Sequence, residues 1–579
     1  MFFYGYFYGK KESMVYKFQV QISNKDLFSN ETENVQSVLS CLTRERFFEL
    51  FLLYRNNYLE KDIRYVLNSV KNMQSWSFAN DIVHRLNIYH KKQIKLHPAI
   101  ENDRNILLCD VALLELLRRA LAINPAKSNP SEYECHEKFI KAILLVNDEV
   151  FDIEDLRETD IDTEETRMER IMLTNNFSFF SLTGLRDNDL GITEMIKFLE
   201  FLRFCKINAQ FKSYIEAYLK QENISSAQLY GFKYLATYQA YKQEGKAKCL
   251  SFRDDYTPFS KITSNEIVKL EDNKDYKRFR QTPLVEVIPD YYILTDNKFL
   301  LQRMYTGLIF DLIGISGLKA QQFFGTFDKL FSEEYLFYKF MDKAFHSLHK
   351  AIRLDGNQLA KLCPDLKGEP DYYIRTGNTI FVFEHKDVRI SAQDRMTRNY
   401  NTIEKALFEK FVEVEQKSGK ISKLGVSQLA LNVDRLLNGD FLFDKNIKTK
   451  KVHIYPILII FDGLFNLHGL NTLLNKEFRK RLTGNKYKVE DLTVMDINTL
   501  IKFAPKFRNG HLNLKETIDK YQSYIKGKSE IMRGGKNVDF IFERFISYPD
   551  YMDGTYKRTN MMRFINEYKK EFKEALPFK

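Results

Sequence analysis

In the stretch GEPDYYIRTGNTIFVFEHKD, residues 368–387, an aspartate, a glutamate and a lysine interrupt two runs rich in aromatic and β-branched residues. Gly377 and Asn378 separate those runs, and Gly-Asn is a dipeptide that closes two-residue hairpin loops. With these two residues as the loop, Thr376 pairs with Thr379 and Asp371 falls opposite Glu384. Opposed residues have Cβ atoms about 5 Å apart on one face of a sheet. Lys386, two residues beyond Glu384, projects from that same face. Carboxylates so close repel unless a positive charge lies between them. A divalent cation answers that need, and oxygen ligands suit Mg²⁺ or Mn²⁺. The ammonium of Lys386 is then placed to position or deprotonate a bound water and to stabilise charge developing on a phosphorane. Hydrolysis of a phosphodiester is the chemistry this set points to. The competing expectation is an edge strand, with Phe381 and Phe383 in the core and Glu384 and Lys386 a solvated ion pair.

Pro370-Asp371, twelve intervening residues and then Glu384-His385-Lys386 resemble the motif of the PD-(D/E)xK nuclease superfamily, which shares the restriction-endonuclease-like fold. The resemblance is local, over roughly residues 300–500. It implies that Asp371 and Glu384 bind the metal, that the main-chain carbonyl of His385 adds a ligand, and that Lys386 helps to generate the nucleophile. The His385 ring points to the opposite face from Glu384, which suits a structural role.

Many members carry an acid in the helix before the hairpin. Here Phe327, Phe331, Glu334, Tyr338, Met341, Phe345 and Leu348 follow a four-three spacing, so Glu334 interrupts an apolar stripe. Glu333 lies on the neighbouring stripe with Leu330, Phe337 and Phe340, and Asp328 is a third candidate. The choice between Glu333 and Glu334 stays open, and both have lysines nearby that would pair with them on a half-exposed helix. GVSQLALNVDRLL, residues 425–437, is similar to the glutamine-bearing helix that follows the catalytic strand in that superfamily, with Gln428 beside the line of Leu429, Val433 and Leu436. Residues 387–424, which include another helical pattern at IEKALFEKFVEVE, separate it from Lys386.

The elements that must carry these residues lie in a chain of 579 residues, too long for one core. Residues 40–245 show mainly helical periodicity, and strand-like alternation lies ahead of them at MVYKFQVQI, residues 14–22. From residue 276 short extended segments, VEVIPDYYIL, the hairpin, HIYPILIIFD and EDLTVMDI, alternate with amphipathic helices, which implies a mixed α/β core. Three regions are expected: a mainly helical domain at 1–275, a PD-(D/E)xK-like α/β domain of mixed sheet flanked by helices at 276–510, and a basic helical extension at 511–579 that packs on it. Of the +11 net charge, all falls after residue 440, where 27 Lys and Arg face 16 Asp and Glu. Such a basic lobe suits a phosphate backbone; a lysine-rich solubilising surface leaves the same count.

Six scattered cysteines without a C-x-x-C pair argue against a zinc ribbon or a disulfide framework and fit a reducing, cytoplasmic location. No apolar run is long enough to span a bilayer, and no export signal is evident. No P-loop, G-x-S-x-G elbow, H-E-x-x-H helix or dinucleotide fingerprint occurs. Arg85 and His90 have the R-x4-H spacing of HEPN ribonucleases, although Leu86 stands where a polar residue is usual. The resulting expectation is a Mg²⁺- or Mn²⁺-dependent nuclease acting on DNA, or on RNA, with a protein partner or a second copy as further partners and no membrane. The pairing of a long helical region with such a nuclease resembles bacterial proteins of defence against phage and mobile elements. The alternatives are a non-catalytic nucleic-acid-binding or assembly protein that uses the helical half, and a HEPN-like, metal-independent ribonuclease.

Overall fold

The structure is a computed structural model that describes residues 3–10, 13–28, 33–57, 76–96, 105–106, 108–151, 164–183, 187–243, 250–251, 260–348, 350–364, 368–440, 443–444, 447, 451–484, 488–533 and 543–556. The chain divides into two compact units, one of residues 1–152, 185–191 and 230–308, the other of residues 153–184, 192–229 and 309–579. Among the described residues no helix is long and apolar enough to cross a membrane.

The first unit is mainly helical, with Arg44–Asn57, Trp76–Leu96, Asp110–Ala120 and Glu132–Phe151 as its longer helices. The strand expected at residues 14–22 is present as Ser13–Gln21, paired antiparallel with Phe3–Lys10. A second sheet holds the hairpin of Leu284–Ile288 and Tyr291–Leu294.

The second unit is built on a five-stranded mixed sheet. Its strands are β1 (Ile352–Asp355), β2 (Tyr372–Thr376), β3 (Thr379–Lys386), β6 (His453–Ile460) and β7 (Thr493–Asp496), in the order β7-β6-β3-β2-β1. A separate small hairpin of β4 (Glu413–Glu415) and β5 (Ile421–Lys423) lies between β3 and β6 in the chain. The first three strands form an antiparallel meander, while β6 runs parallel to β3 and β7 parallel to β6. A parallel neighbour requires a crossover, and the interior strand β6 has the near-continuous apolar sequence of a strand covered on both faces.

Helices supply that cover. Ahead of β1 runs α1, three contiguous pieces: α-helical Ala320–Phe327, π-helical Asp328–Phe337 and α-helical Tyr338–Phe345. The short α2 (Gly356–Leu362) follows β1, and α3 (Tyr400–Phe411) follows β3. The crossover helix α4 (Gly425–Asn438) packs on β3 and β6 beside α5 (Leu470–Arg481). On the other face Phe337 stacks on His385 and Phe345 meets Phe507 of α6 (Ile497–Arg508). The buried side chains of α1, among them Phe337, Phe340, Met341 and Phe345, and those of α4, Val426, Leu429, Val433 and Leu436, thus sandwich the sheet. Each such side chain contributes about 1.5–3 kcal/mol of burial.

The C-terminal part is helical where described, with α7 (Leu514–Arg533) and α8 (Tyr548–Thr555). Tyr455 of β6 donates its hydroxyl to Asp519 of α7 at 2.9 Å. The glycine break at RGGKN falls outside the described residues, apart from Arg533. Several bases of this last quarter are engaged by acids of the same unit: Lys515 with Asp519, Lys520 with Glu516, Lys526 and Arg479 with Asp491, and Lys502 with Asp553.

Candidate active site

The hairpin has the register its loop requires. Thr379 pairs with Thr376, Phe381 with Ile374 and Phe383 with Tyr372, and Gly377 takes the positive φ, 58°, that a glycine supplies freely. The ladder continued by one step sets Asp371 against Glu384. Asp371 stands just before β2, and its Oδ2 accepts the main-chain N–H of His385 at 2.6 Å. Glu384 is 1 % exposed. Its Oε1 accepts a hydrogen bond from Lys386 Nζ at 2.8 Å, whereas its Oε2 is buried without a hydrogen-bond partner. Glu384 is therefore not the solvated half of an edge ion pair. β3 is an interior strand, and leaving a buried polar atom unmatched costs about 1–3 kcal/mol, more for a charged one.

The third acid comes from α1. With ordinary α-helical winding the stripe through Phe327 and Phe331 leads to Glu334. The i→i+5 bonding of the π-helical stretch takes up extra chain per turn, so the buried side chains pass from Phe331 to Leu336, Phe337, Phe340 and Met341. Glu333 is thereby brought within electrostatic reach of Asp371 and Lys386, and its Oε1 accepts the Tyr338 hydroxyl at 3.0 Å. Glu334 lines an adjacent polar cleft of about 460 Å³ with Lys339, Asp342, Arg353 and Asp355. Asp328 is held apart, bidentate to Arg389 at 2.9 and 3.0 Å. Arg389 also pairs with Asp387 at 3.2 Å, and Asp387 accepts the Ser332 hydroxyl at 2.6 Å.

Crowding negative charge into a poorly solvated place raises proton affinity. Burial, then the neighbouring Asp371, push the Glu384 carboxyl up to about 8 against the pull of Lys386. Burial and Asp371 likewise raise Glu333 to about 7, opposed by the Tyr338 hydrogen bond and by Lys386. Burial raises Asp371 too, with Lys386 and the His385 N–H working the other way. For Lys386 burial alone would favour the neutral amine, but Glu384 and Asp371 outweigh it and hold the ammonium above its ordinary range. The His385 imidazole points to the other face, stacked 5.0 Å from Phe337, and burial followed by Lys386 lowers it to about 3, so it is neutral.

Gln428 lies on α4, the helix on the Glu384–Lys386 face. Residues 387–424 spend their length on α3 and the β4–β5 hairpin, and the Leu424 N–H returns to the Val412 carbonyl at 2.9 Å so that α4 begins beside Lys386. A Cβ on Gly425 would lie 3.4 Å from Lys386 Cγ, 3.2 Å from Leu458 Cδ1 and 3.0 Å from the Phe411 carbonyl, so glycine is what permits the approach. Gln428 follows one turn later, with its Oε1 buried and without a hydrogen-bond partner. In the first unit Arg85 pairs with Asp81 at 3.0 Å and lies over the Phe28 ring, a structural engagement; the side chain of His90 is outside the described residues.

Sequence reasoning thus named the hairpin acids, Lys386, Gln428 and the pair that includes Glu333. It missed Tyr338 as a partner of Glu333, and Gly356 and Gly425 as close-approach positions. The signal for Gly425 was a glycine opening an otherwise strongly amphipathic helix.

Among the described residues no group of three or more His, Cys, Asp and Glu side chains is arranged as a ready metal cage. The donor set here is smaller, two carboxylates on a hairpin with a main-chain carbonyl between Glu384 and Lys386. The unmatched Glu384 Oε2 fits a cation, because it is a buried acceptor in a site of excess negative charge. In comparison with known proteins, no family model, no curated protein and no solved structure matches this sequence.

Proposed function

We propose that this protein is a metal-dependent nuclease that hydrolyses phosphodiester bonds in DNA or RNA, with a restriction-endonuclease-like core in its second unit. The observation that carries the proposal is the Glu384 carboxylate, one oxygen bound by Lys386 and the other buried and unmatched, facing Asp371 across a closed hairpin. The order helix, three-strand antiparallel meander, crossover helix, parallel strand supports the same reading, as does a Gln-bearing helix against the acidic strand. Asp371, Glu384 and the His385 carbonyl are the groups that would hold Mg²⁺ or Mn²⁺. Such a cation, when bound, acidifies a coordinated water and offsets charge on the phosphate.

The remaining roles belong to the chain's own residues. Lys386 stays protonated, so it acts as a hydrogen-bond donor and a positive charge toward the attacking oxygen and the developing phosphorane rather than as a base. Glu333, titrating near 7, is matched to accept a proton at neutral pH through its carboxylate. Gln428, with its free Oε1, orients Lys386 or the scissile strand. A role in defence against phage or mobile elements is the biological setting suggested by the domain make-up alone.

The test is incubation of the purified chain with supercoiled plasmid, linear DNA and RNA in Mg²⁺, Mn²⁺ or EDTA. Metal-dependent cleavage that disappears in folded Lys386→Ala and Glu384→Gln variants is expected. Binding without cleavage of any of these substrates in either metal would overturn the proposal in favour of a non-catalytic nucleic-acid-binding protein.

A further inference from the structure

Tyr338 touches the acidic cluster in a way that neither packing nor the three acids explain. It stands at the first position after the π-helical stretch, its ring 5.7 Å from Phe337 and 6.3 Å from Tyr372, and its hydroxyl donates to Glu333 Oε1 at 3.0 Å. In that bond the phenol is the donor, because a carboxylate oxygen only accepts. On the other side of that hydroxyl, α2 begins with Gly356, whose N–H donates to the Asp371 carbonyl at 2.9 Å. A Cβ at position 356 would sit 2.9 Å from the Tyr338 oxygen and 3.5 Å from Asp371 Cα. The hydroxyl therefore occupies space that any other residue at 356 would take, beside the backbone of one acid and bonded to the side chain of another.

Glu333 needs such a hold. It is half-buried and repelled by Asp371. A neutral donor on Oε1 fixes the carboxylate without neutralising it and leaves Oε2 for a ligand. We propose that Tyr338 is a positioning residue that aims the Glu333 carboxylate at the Asp371–Glu384 pair, where it would accept a hydrogen bond from water held by a divalent cation there, and that Gly356 keeps open the space its hydroxyl requires. The proposal rests on the site being a metal site. Partners that orient a ligand in this way are worth about 10–100-fold in metal affinity.

The experiment is Mn²⁺ titration of the full chain followed by electron paramagnetic resonance, with thermal unfolding of the metal-free proteins alongside. Tyr338→Phe retains the ring and loses the hydroxyl; Gly356→Ala retains the hydroxyl and displaces it; Tyr372→Phe removes the neighbouring hydroxyl as a control. Both Tyr338→Phe and Gly356→Ala are expected to weaken Mn²⁺ binding about tenfold or more, with Tyr372→Phe as wild type and metal-free unfolding of Tyr338→Phe unchanged. Alanine is the better helix former, so a loss in Gly356→Ala is not a loss of helix. In a cleavage assay Tyr338→Phe raises the Mn²⁺ concentration for half-maximal rate more than it lowers the rate at saturation. If both variants bind Mn²⁺ like wild type while Glu384→Gln does not, the positioning role is overturned and the metal site stands. If wild type itself takes up no Mn²⁺, both fall together.

Discussion

The side chain of Asp371 bonds to the main chain of His385 at 2.6 Å, beyond the point where paired residues of β2 and β3 end at Tyr372 and Phe383. A carboxylate thus continues the ladder that the backbone leaves off. Its position relative to Glu384 is set by the strand itself rather than by a free rotamer, as preorganisation of a charged site requires.

Two substitutions at Asp371 separate this structural bond from the charge. Asp371→Asn keeps an oxygen that can accept the His385 N–H, so the fold holds while divalent-cation binding is lost. Asp371→Ala orphans that N–H and costs about 1–3 kcal/mol more stability than the asparagine variant. Urea unfolding of the two variants, compared with Mn²⁺ titration of each, checks both statements.

The acids also predict a pH dependence. Glu384 rises from 4.5 to about 8 and Glu333 from 4.5 to about 7 on folding. The folded chain therefore holds more protons than the unfolded chain between those limits, and their contribution to stability, complete below about pH 4.5, is lost as pH rises through 7 and 8. Metal-free wild type is expected to lose Tm over this window more steeply than Glu384→Gln. Added Mn²⁺ is expected to raise Tm most at the alkaline end, where the carboxylates are ionised. A flat difference between wild type and Glu384→Gln across the window contradicts the assignment.

Lys386→Met removes the charge and keeps most of the stem. Cleavage is expected to fall about 10²–10³-fold, the scale of losing one group that stabilises transition-state charge. Glu384 then loses its partner, so the variant's destabilisation relative to wild type is expected to be greater near pH 8 than near pH 6, which thermal unfolding at both values measures.

Gly425→Ala brings a methyl group against the Phe411 carbonyl, Leu458 and the Lys386 stem. Overpacking of this kind costs about 1–3 kcal/mol, despite the helix preference of alanine. The expected result is a lower urea midpoint together with a reduced cleavage rate, because the displaced neighbour is Lys386.

Much of the site was legible because its geometry is local. The Gly-Asn loop dictates the pairing of every residue from Tyr372 to Phe383, and HIYPILIIFD and EDLTVMDI read as strands because β6 and β7 are buried on both faces. The choice between Glu333 and Glu334 was not legible, because it depends on helical winding that a period of 3.6 does not describe. The contact of α4 with Lys386 was hidden for a different reason: it is made across the residues of α3 and a small hairpin, whose path no periodicity reports. The strand Phe3–Lys10, FYGYFYGK, lacks the alternation of apolar and polar residues by which Ser13–Gln21, its antiparallel partner, is readable. The surplus of lysine and arginine after residue 440 was a count, and a count does not show how many of those bases already face an aspartate or glutamate.

The widened winding of α1 separates the orientation of Glu333 from the packing of the helix that bears it. Deleting one residue between Glu333 and Phe337 is expected to return this stretch to the ordinary α-helical pitch and to change where Glu333 stands relative to Asp371. Under the proposed function, losing a single codon in this stretch is expected to abolish cleavage while the protein stays folded, which a cleavage assay and thermal unfolding of the deletion variant check.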